Sequence, residues 1–171
     1  LIACMVSALG SLSLAAETDR LPRVAIFRCD VTPPPGEPLI WNIPLVAVDD
    51  PLWAKGVVLE YGRQRVVLCT FDWCEISNES ELSLREEIAK AARTSASRVL
   101  IHCVHQHTAP YADAGAHRLL DAAPNPPLRL SDRFLDEIGQ RLARTVAESL
   151  TRLHPFDQVG LGQARVEQVA S

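Results

Sequence analysis

The chain has 171 residues, 47% of them hydrophobic and 22% charged, which suits one folded domain with its own core and excludes an intrinsically disordered chain. The formal net charge is −4 and the basic residues are scattered, so there is no electrostatic footprint for nucleic acid or for anionic lipid. A neutral or lipid-like substrate fits this composition better than a polyanion.

Leu1 to Ala16 is apolar and small, carries no charge, and gives way to polar residues at Glu17. This pattern predicts the core of a signal peptide, with Ser13-Leu14-Ala15 as a small-x-small site, cleavage after Ala15 or Ala16, and a secreted or periplasmic product. Leucine at position 1 and the missing basic stretch read as a truncated start, so the expected division is a signal peptide over 1–16 and a mature portion over 17–171. The competing reading is a buried N-terminal helix, although this run has no polar face to show to solvent. Export permits disulfides among Cys29, Cys69, Cys74 and Cys103; spacing leaves their pairing open, and Cys69 and Cys103 lie in apolar runs that also suit buried thiols. No spacing is CxxC, which argues against a cysteine zinc site.

The run RVAIFRCDVT, 23–32, predicts a first strand stopped by Pro33, Pro34, Pro35 and Gly36, with a proline-punctuated loop to Pro51. AKGVVLEY and RVVLCTFDW, separated by Gly62, Arg63 and Gln64, predict a β-hairpin. Asn78 followed by Glu81 matches a capping box, and Leu82, Ile88, Ala89 and Ala92 then fall on one helical stripe, with Lys90 and Arg93 near its end. RVLIHCV, 98–104, predicts a buried strand, and the order strand, helix, strand predicts a parallel crossover. Residues 112–130 read as a loop. Ser131 or Asp132 caps a second long helix carrying Leu135, Ile138, Leu142, Val146 and Leu150, and QVGLGQARVEQV, 158–169, alternates as a last strand. The class is therefore α/β, a mixed sheet with a hairpin, crossover helices and a parallel strand carrying histidines, without an obvious closing element.

Those histidines stand in VLIHCVHQHTAPYADAG, 99–115. If the strand stays extended from Val99 to His107, His105 and His107 project together, while His102 points the other way with Val104 and Gln106. Two imidazoles at i and i+2 can reach one ion, and the carboxyl end of a parallel strand is where open α/β sheets place ligands. The alternative is a pair of histidines hydrogen-bonded at a sheet edge. His102 reads as a satisfied core or interface histidine, and His117 and His154 as exposed polar residues. Asp72 ends the hairpin beside this strand, where a carboxylate can orient a ligand histidine through its second ring nitrogen, or simply cap a turn. Asp30 suits a turn before the prolines. Trp41, Trp53 and Trp73 can line an apolar groove or pack in the core and rim.

Taken in order, FRCDVTPPPGEPL, PLWAKGVVLEYGRQRVVLCTFDWCEI, the capped helix and VLIHCVHQHTAPYADAG resemble the N-terminal part of the catalytic domain of the neutral/alkaline non-lysosomal ceramidase family. The resemblance runs over residues 23–169, and its most specific element is His105-Gln106-His107-Thr108-Ala109-Pro110. It implies a secreted zinc-dependent amidase that cleaves the N-acyl bond of ceramide or a related lipid amide, with peripheral membrane contact and no nucleic-acid partner. It implies His105 as a zinc ligand and His107 as a catalytic residue beside the ion, touching substrate or supporting the polarised carbonyl. Gln106 stands where the family has threonine, and YADAG replaces a glycine-rich stretch, so the substrate rim is expected to differ. The family's remaining zinc ligands, a histidine, a glutamate and a tyrosine, lie downstream of the matched region, so the chain is read as a portion of a longer domain. Two further readings stand beside this one: a secreted non-catalytic binding or structural domain, and a binuclear metallohydrolase of the β-lactamase type. The latter prefers an aspartate and another histidine where Thr108, Ala109 and Pro110 occur.

Overall fold

The structure is a computed structural model describing residues 21–167; the signal-peptide reading of 1–16, with Cys4, lies outside them. In chain order the elements are β1 (Arg23–Asp30), β2 (Pro38–Leu39), β3 (Ile43–Pro44), β4 (Trp53–Tyr61), β5 (Gln64–Phe71), β6 (Glu75–Ile76), α1 (Asn78–Ala92), β7 (Val99–Cys103), β8 (Tyr111–Ala112), α2 (Ala114–Leu120), α3 (Asp132–Ser149) and β9 (His154–Pro155). The main sheet is mixed, in the order β7-β5-β4-β1-β9. Its only parallel pair among the described residues is β5 with β7, joined through α1 as the pattern predicts.

The β4–β5 hairpin closes on a two-residue turn in which Gly62, at φ +57°, takes the first central position, a conformation that costs other residues about 1 kcal/mol or more. Alternation then sorts the sheet. Ala25, Val58, Val67 and Val99 form one buried row, and Cys29, Ala54 and Phe71 another. These rows face α1 and α3, which pack on each other and cover one side of the sheet. Between them, Gly56 is required by close approach: a methyl group there lies 2.3 Å from the Phe27 ring and 2.4 Å from the Leu68 carbonyl oxygen. The opposite side of the sheet has no covering layer among the described residues. Across it run Ile26, Leu68 and Leu100, which are 75%, 41% and 56% exposed, with Val57 between them in register. No helix of the described residues is long and apolar enough to cross a membrane.

Several expectations are corrected. The helix-start motif does not form a capping box: Ser77 is the N-cap, and Asn78, at φ +51°, gives its side-chain amide to Asp113 Oδ2 at 2.6 Å. The buried stripe of α1 uses Leu84 rather than Leu82, which is half exposed, with Ile88, Ala89 and Ala92 as expected. The 112–130 loop contains α2, capped by the Asp113 carboxylate accepting from Ala116 N at 2.9 Å. The 158–169 strand does not form over its described residues. The edge next to β1 is taken by His154 and Pro155, the latter an edge residue because it has no N–H to give. Ser131 caps α3 as read, accepting from Phe134 N at 3.2 Å, and Glu37 accepts from Ser131 N at 2.9 Å, tying the proline loop to that helix.

Glu60 is the buried charge of the sheet. It accepts from Arg23 Nε at 2.8 Å and from Arg65 Nε at 2.6 Å. Desolvation pushes its carboxyl up, but the hydrogen bonds from Arg23 and Arg65 outweigh it and hold the group below its usual 4.5. A depressed carboxylate contributes stability that is present above the unfolded-state pKa and is lost as pH falls through the folded one. Glu60→Gln is therefore expected to cost about 1–3 kcal/mol at neutral pH. It should also flatten the acid limb of a denaturant-midpoint against pH plot below pH 4.5. An unchanged acid limb would contradict this assignment.

Candidate functional site

The site is built where β5 and β7 end side by side. Beyond β7, Val104 N still donates to Phe71 O at 3.0 Å and His105 N to Trp73 O at 3.1 Å, so the ladder carries the chain to His105. There it turns. His105 adopts φ +63°, a left-handed conformation uncommon for a residue with a side chain, and the strand does not continue extended to His107. The turn is braced by Gln106, whose Nε2 donates to Asp72 O at 2.8 Å and whose Oε1 accepts from Thr108 N at 2.9 Å and Thr108 Oγ1 at 2.6 Å. Pro110 O then accepts from Cys74 N at 3.0 Å, and Ala109 O accepts from Ile40 N at 2.9 Å.

His105 and His107 meet despite the turn, their ring centroids 5.2 Å apart and nearly perpendicular. Both are exposed. Nδ1 of His105 lies 2.9 Å from the Cys74 carbonyl oxygen. A carbonyl only accepts, so Nδ1 carries the proton in this bond and Nε2 keeps its lone pair for a metal. Cys74 Sγ is 3.6 Å from the same Nδ1, and one ligand atom from each of Cys74, His105 and His107 falls within 4.8 Å of the others. The donors are two imidazoles and a thiol, a set that suits zinc. The orienting group is thus the Cys74 carbonyl. Asp72 is close by, but its Oδ2 accepts from Trp53 N at 3.0 Å, and among the described residues it makes no hydrogen bond to a histidine side chain.

Trp41 is the tryptophan that reaches the site, edge-on to His107 at 6.0 Å and 71% exposed. It and Asn42 both have positive φ, 68° and 59°. Trp53 instead carries Arg28 over its ring at 3.9 Å, and Trp73 is fully buried with Nε1 donating to Val31 O at 3.0 Å. A groove of about 560 Å³ opens beside the histidine loop, its lining mixed: Pro33, Leu39, Leu45 and Leu52 stand with Asp49, Asp50 and Asp72, and Gln106 and Thr108 of the loop also line it. A cleft of about 490 Å³ lies between α1 and α3, and none of its lining residues belongs to that loop.

Of the other histidines, His102 and His117 fall differently from their readings. His102 is exposed on the uncovered face of the sheet rather than satisfied in a core. His117, on α2, is buried, 7% exposed, with no partner for Nδ1 among the described residues; burial first, then Arg129 beside it, hold the ring below its usual pKa. His154 is exposed as read, and Asp30 makes the expected turn, its Oδ1 accepting from Thr32 N at 2.8 Å. Cys29, Cys69, Cys74 and Cys103 form no disulfide among the described residues. Burial pushes the Cys69 thiol up to about 12 and the Cys103 thiol to about 11. Cys74 escaped the sequence reading because its partner is 31 residues away, and spacing rules register only ligands that are neighbours in the chain.

No family model and no curated protein sequence matches the chain. Among solved structures, it is similar to the neutral ceramidase from Pseudomonas aeruginosa, at a TM-score of 0.61 and 16% identity over 79% of this chain. It is also similar to a ceramidase complexed with C2, at a TM-score of 0.58 and 16% identity over 79% of this chain. At that identity the likeness is one of fold. The chain spans 22% of the length of each of those structures.

Proposed function

We propose that this chain carries part of the active site of an exported zinc-dependent amidohydrolase acting on the N-acyl bond of ceramide or a related lipid amide. The observation that carries the reading is the pair of imidazoles delivered by the end of a parallel strand, on a braced turn, beside a groove with an apolar stretch of Pro33, Leu39, Leu45 and Leu52. The fold shared with neutral ceramidases supports it, as does the apolar opening run of the sequence for export.

His105 would hold the ion through Nε2, its ring fixed by the Nδ1–H bond to the Cys74 carbonyl. Zinc, when bound, lowers the pKa of water at its open position to about 7 and polarises an amide carbonyl. His107, its ring centroid 5.2 Å from that of His105, would stand beside the ion and support the substrate carbonyl as charge develops on its oxygen. The groove would take the acyl chain along Pro33, Leu39, Leu45 and Leu52, which strip water from it at about 25 cal/mol per Å² of apolar surface buried, while Asp49, Asp50 and Asp72 keep the rest of its lining polar. Thr108 and Gln106 also line it, with Gln106 already committed to bracing the turn.

The test is release of fatty acid from a fluorescent N-acyl sphingoid base by the purified protein, before and after chelation and after zinc is returned. Turnover that vanishes on chelation and comes back with zinc is the expected result. Stoichiometric zinc without amide hydrolysis would favour a binding domain instead.

A further inference from the structure

Between Glu37 and Asp49 runs a stretch, Pro38 to Val48, without one ionisable side chain. Its apolar residues divide between two sides. Leu39, Leu45, Ala47 and Val48 line the groove beside the histidine loop. Trp41, Ile43 and Val46 do not line it and stand in solvent, the last two 57% and 84% exposed. Leu128, 46% exposed, shares a small pocket with Trp41 and Asn42 and extends the patch. A surface loop with nothing to meet is polar outside, whereas this one is apolar on its solvent side as well as toward the groove. It is also held in place. β2 pairs with β3 across it, Leu45 N donates to Glu37 O at 2.8 Å, and Ile40 N donates to Ala109 O at 2.9 Å, which ties it to the histidine turn. Pro38 and Pro44 fix φ on both arms of this short hairpin, so its outward side chains are presented with little entropy left to lose on contact.

We propose that the 38–48 loop docks on a neutral lipid bilayer, with Trp41, Ile43 and Val46 entering its interface, so that the groove opens at the lipid surface. This rests on the lipid-amide reading above and deepens it, because it names the side from which the substrate arrives. A lipid amide resides in a bilayer, and a groove whose outer wall already lies in the interface receives it without a passage through water. The side chains suit that depth: tryptophan is at home among headgroups, and Ile43 and Val46 reach past it toward the acyl chains. Charge selects the lipid. The residues that flank the run, Glu37, Asp49 and Asp50, are acidic, and the whole chain carries −4. Attachment therefore comes from apolar burial and not from attraction to anionic headgroups.

Phosphatidylcholine vesicles and the whole chain test this without any assay of turnover. Flotation is expected to carry the chain with the vesicles, and to the same extent when phosphatidylserine or salt is added. Tryptophan emission shifts to the blue and is quenched by phosphatidylcholine brominated high on its acyl chains. Trp41→Phe removes both changes, since Trp73 is fully buried and Trp53 lies under Arg28. Ile43→Ser combined with Val46→Ser lowers partitioning at least about tenfold. Leu100→Ser on the sheet has the smaller effect, and Leu82→Ser on the helical flank has none. Absence of vesicle binding, binding that needs anionic lipid, or binding that the paired serine variant leaves intact overturns the proposal. A dimer that forms without lipid and dissolves in that variant, with no vesicle binding, overturns it too and assigns the loop to a protein contact. The amidase reading is judged separately, by zinc-dependent turnover of a lipid amide dispersed in detergent, where no bilayer is present.

Discussion

Replacing His105 is expected to empty the metal site and to lower amide turnover by at least about a thousandfold, roughly 4 kcal/mol of transition-state stabilisation. The size follows from what the ring does. It is the donor fixed by a backbone carbonyl, at 2.9 Å, and it sits at the point where the chain leaves the sheet. His105→Asn is the better substitution. At φ +63° asparagine tolerates the left-handed backbone more readily than alanine, so the turn survives while the imidazole is lost. The check is zinc content by elemental analysis alongside kcat/KM on the fluorescent lipid amide, with circular dichroism to establish that the variant is folded. Full zinc and full turnover in His105→Asn would end the metal reading of this loop.

The largest effect on stability belongs to Trp73→Ala. Trp73 is fully buried, lies edge-on to Phe71 at 5.6 Å and stacks on Phe134 at 6.2 Å, so it bridges the end of β5 and the start of α3. Truncating a core aromatic costs about 3–5 kcal/mol, mostly in the cavity left behind. A further 1–3 kcal/mol, about the cost of a buried unpaired acceptor, follows because the Val31 carbonyl loses its partner at 3.0 Å. Against a typical total of about 5–15 kcal/mol, the variant should be largely unfolded or stable only in mild conditions. Urea denaturation followed by far-ultraviolet circular dichroism measures it. Trp73→Phe, which keeps an aromatic ring against Phe71 and Phe134 but loses the N–H and part of the indole volume, should cost less than the alanine variant. A cost under about 1 kcal/mol for Trp73→Ala would show that this ring does not hold the two layers together.

Much of the sheet was legible in the sequence because local chemistry and burial agree there. Alternation in β1, β4 and β5, a glycine at the tight turn, and the apolar spacing of α3 each point to the element that forms. Expectations failed where a tertiary contact outweighs a local signal. Asn78 has the chemistry of an N-cap, but Asp113, 35 residues away, takes its amide. Alternation over 158–167 makes no strand because a strand needs a partner, and among the described residues the chain reaches the β1 edge only through His154 and Pro155, which pair with Val24 and Arg23. The short α2 was invisible, since seven residues are too few to nucleate a helix unaided; Asp113 and the packing against α1 supply what propensity does not. At the site, the pairing of His105 with His107 was foreseen by the wrong geometry. A straight strand was expected to bring the rings together, and a left-handed turn braced by Gln106 does so instead. The HxH motif names the residue types; the bend that aims them is fixed by Asp72 O and Trp73 O, on the chain segment that follows the neighbouring strand.

The side of the sheet that no described residue covers gives the described part of the chain the character of an amphiphile. One flank carries charged helices, and the other offers water a band of Ile26, Leu68 and Leu100. Such a body has a preferred orientation at any boundary between water and oil, with the sheet turned away from the water. Salts excluded from protein surfaces strengthen the drive to hide that band, so high sulfate brings molecules together through the bare strands while the helical flank stays wet. Handling of the isolated chain is governed from that side, whatever the histidines bind at the end of the sheet.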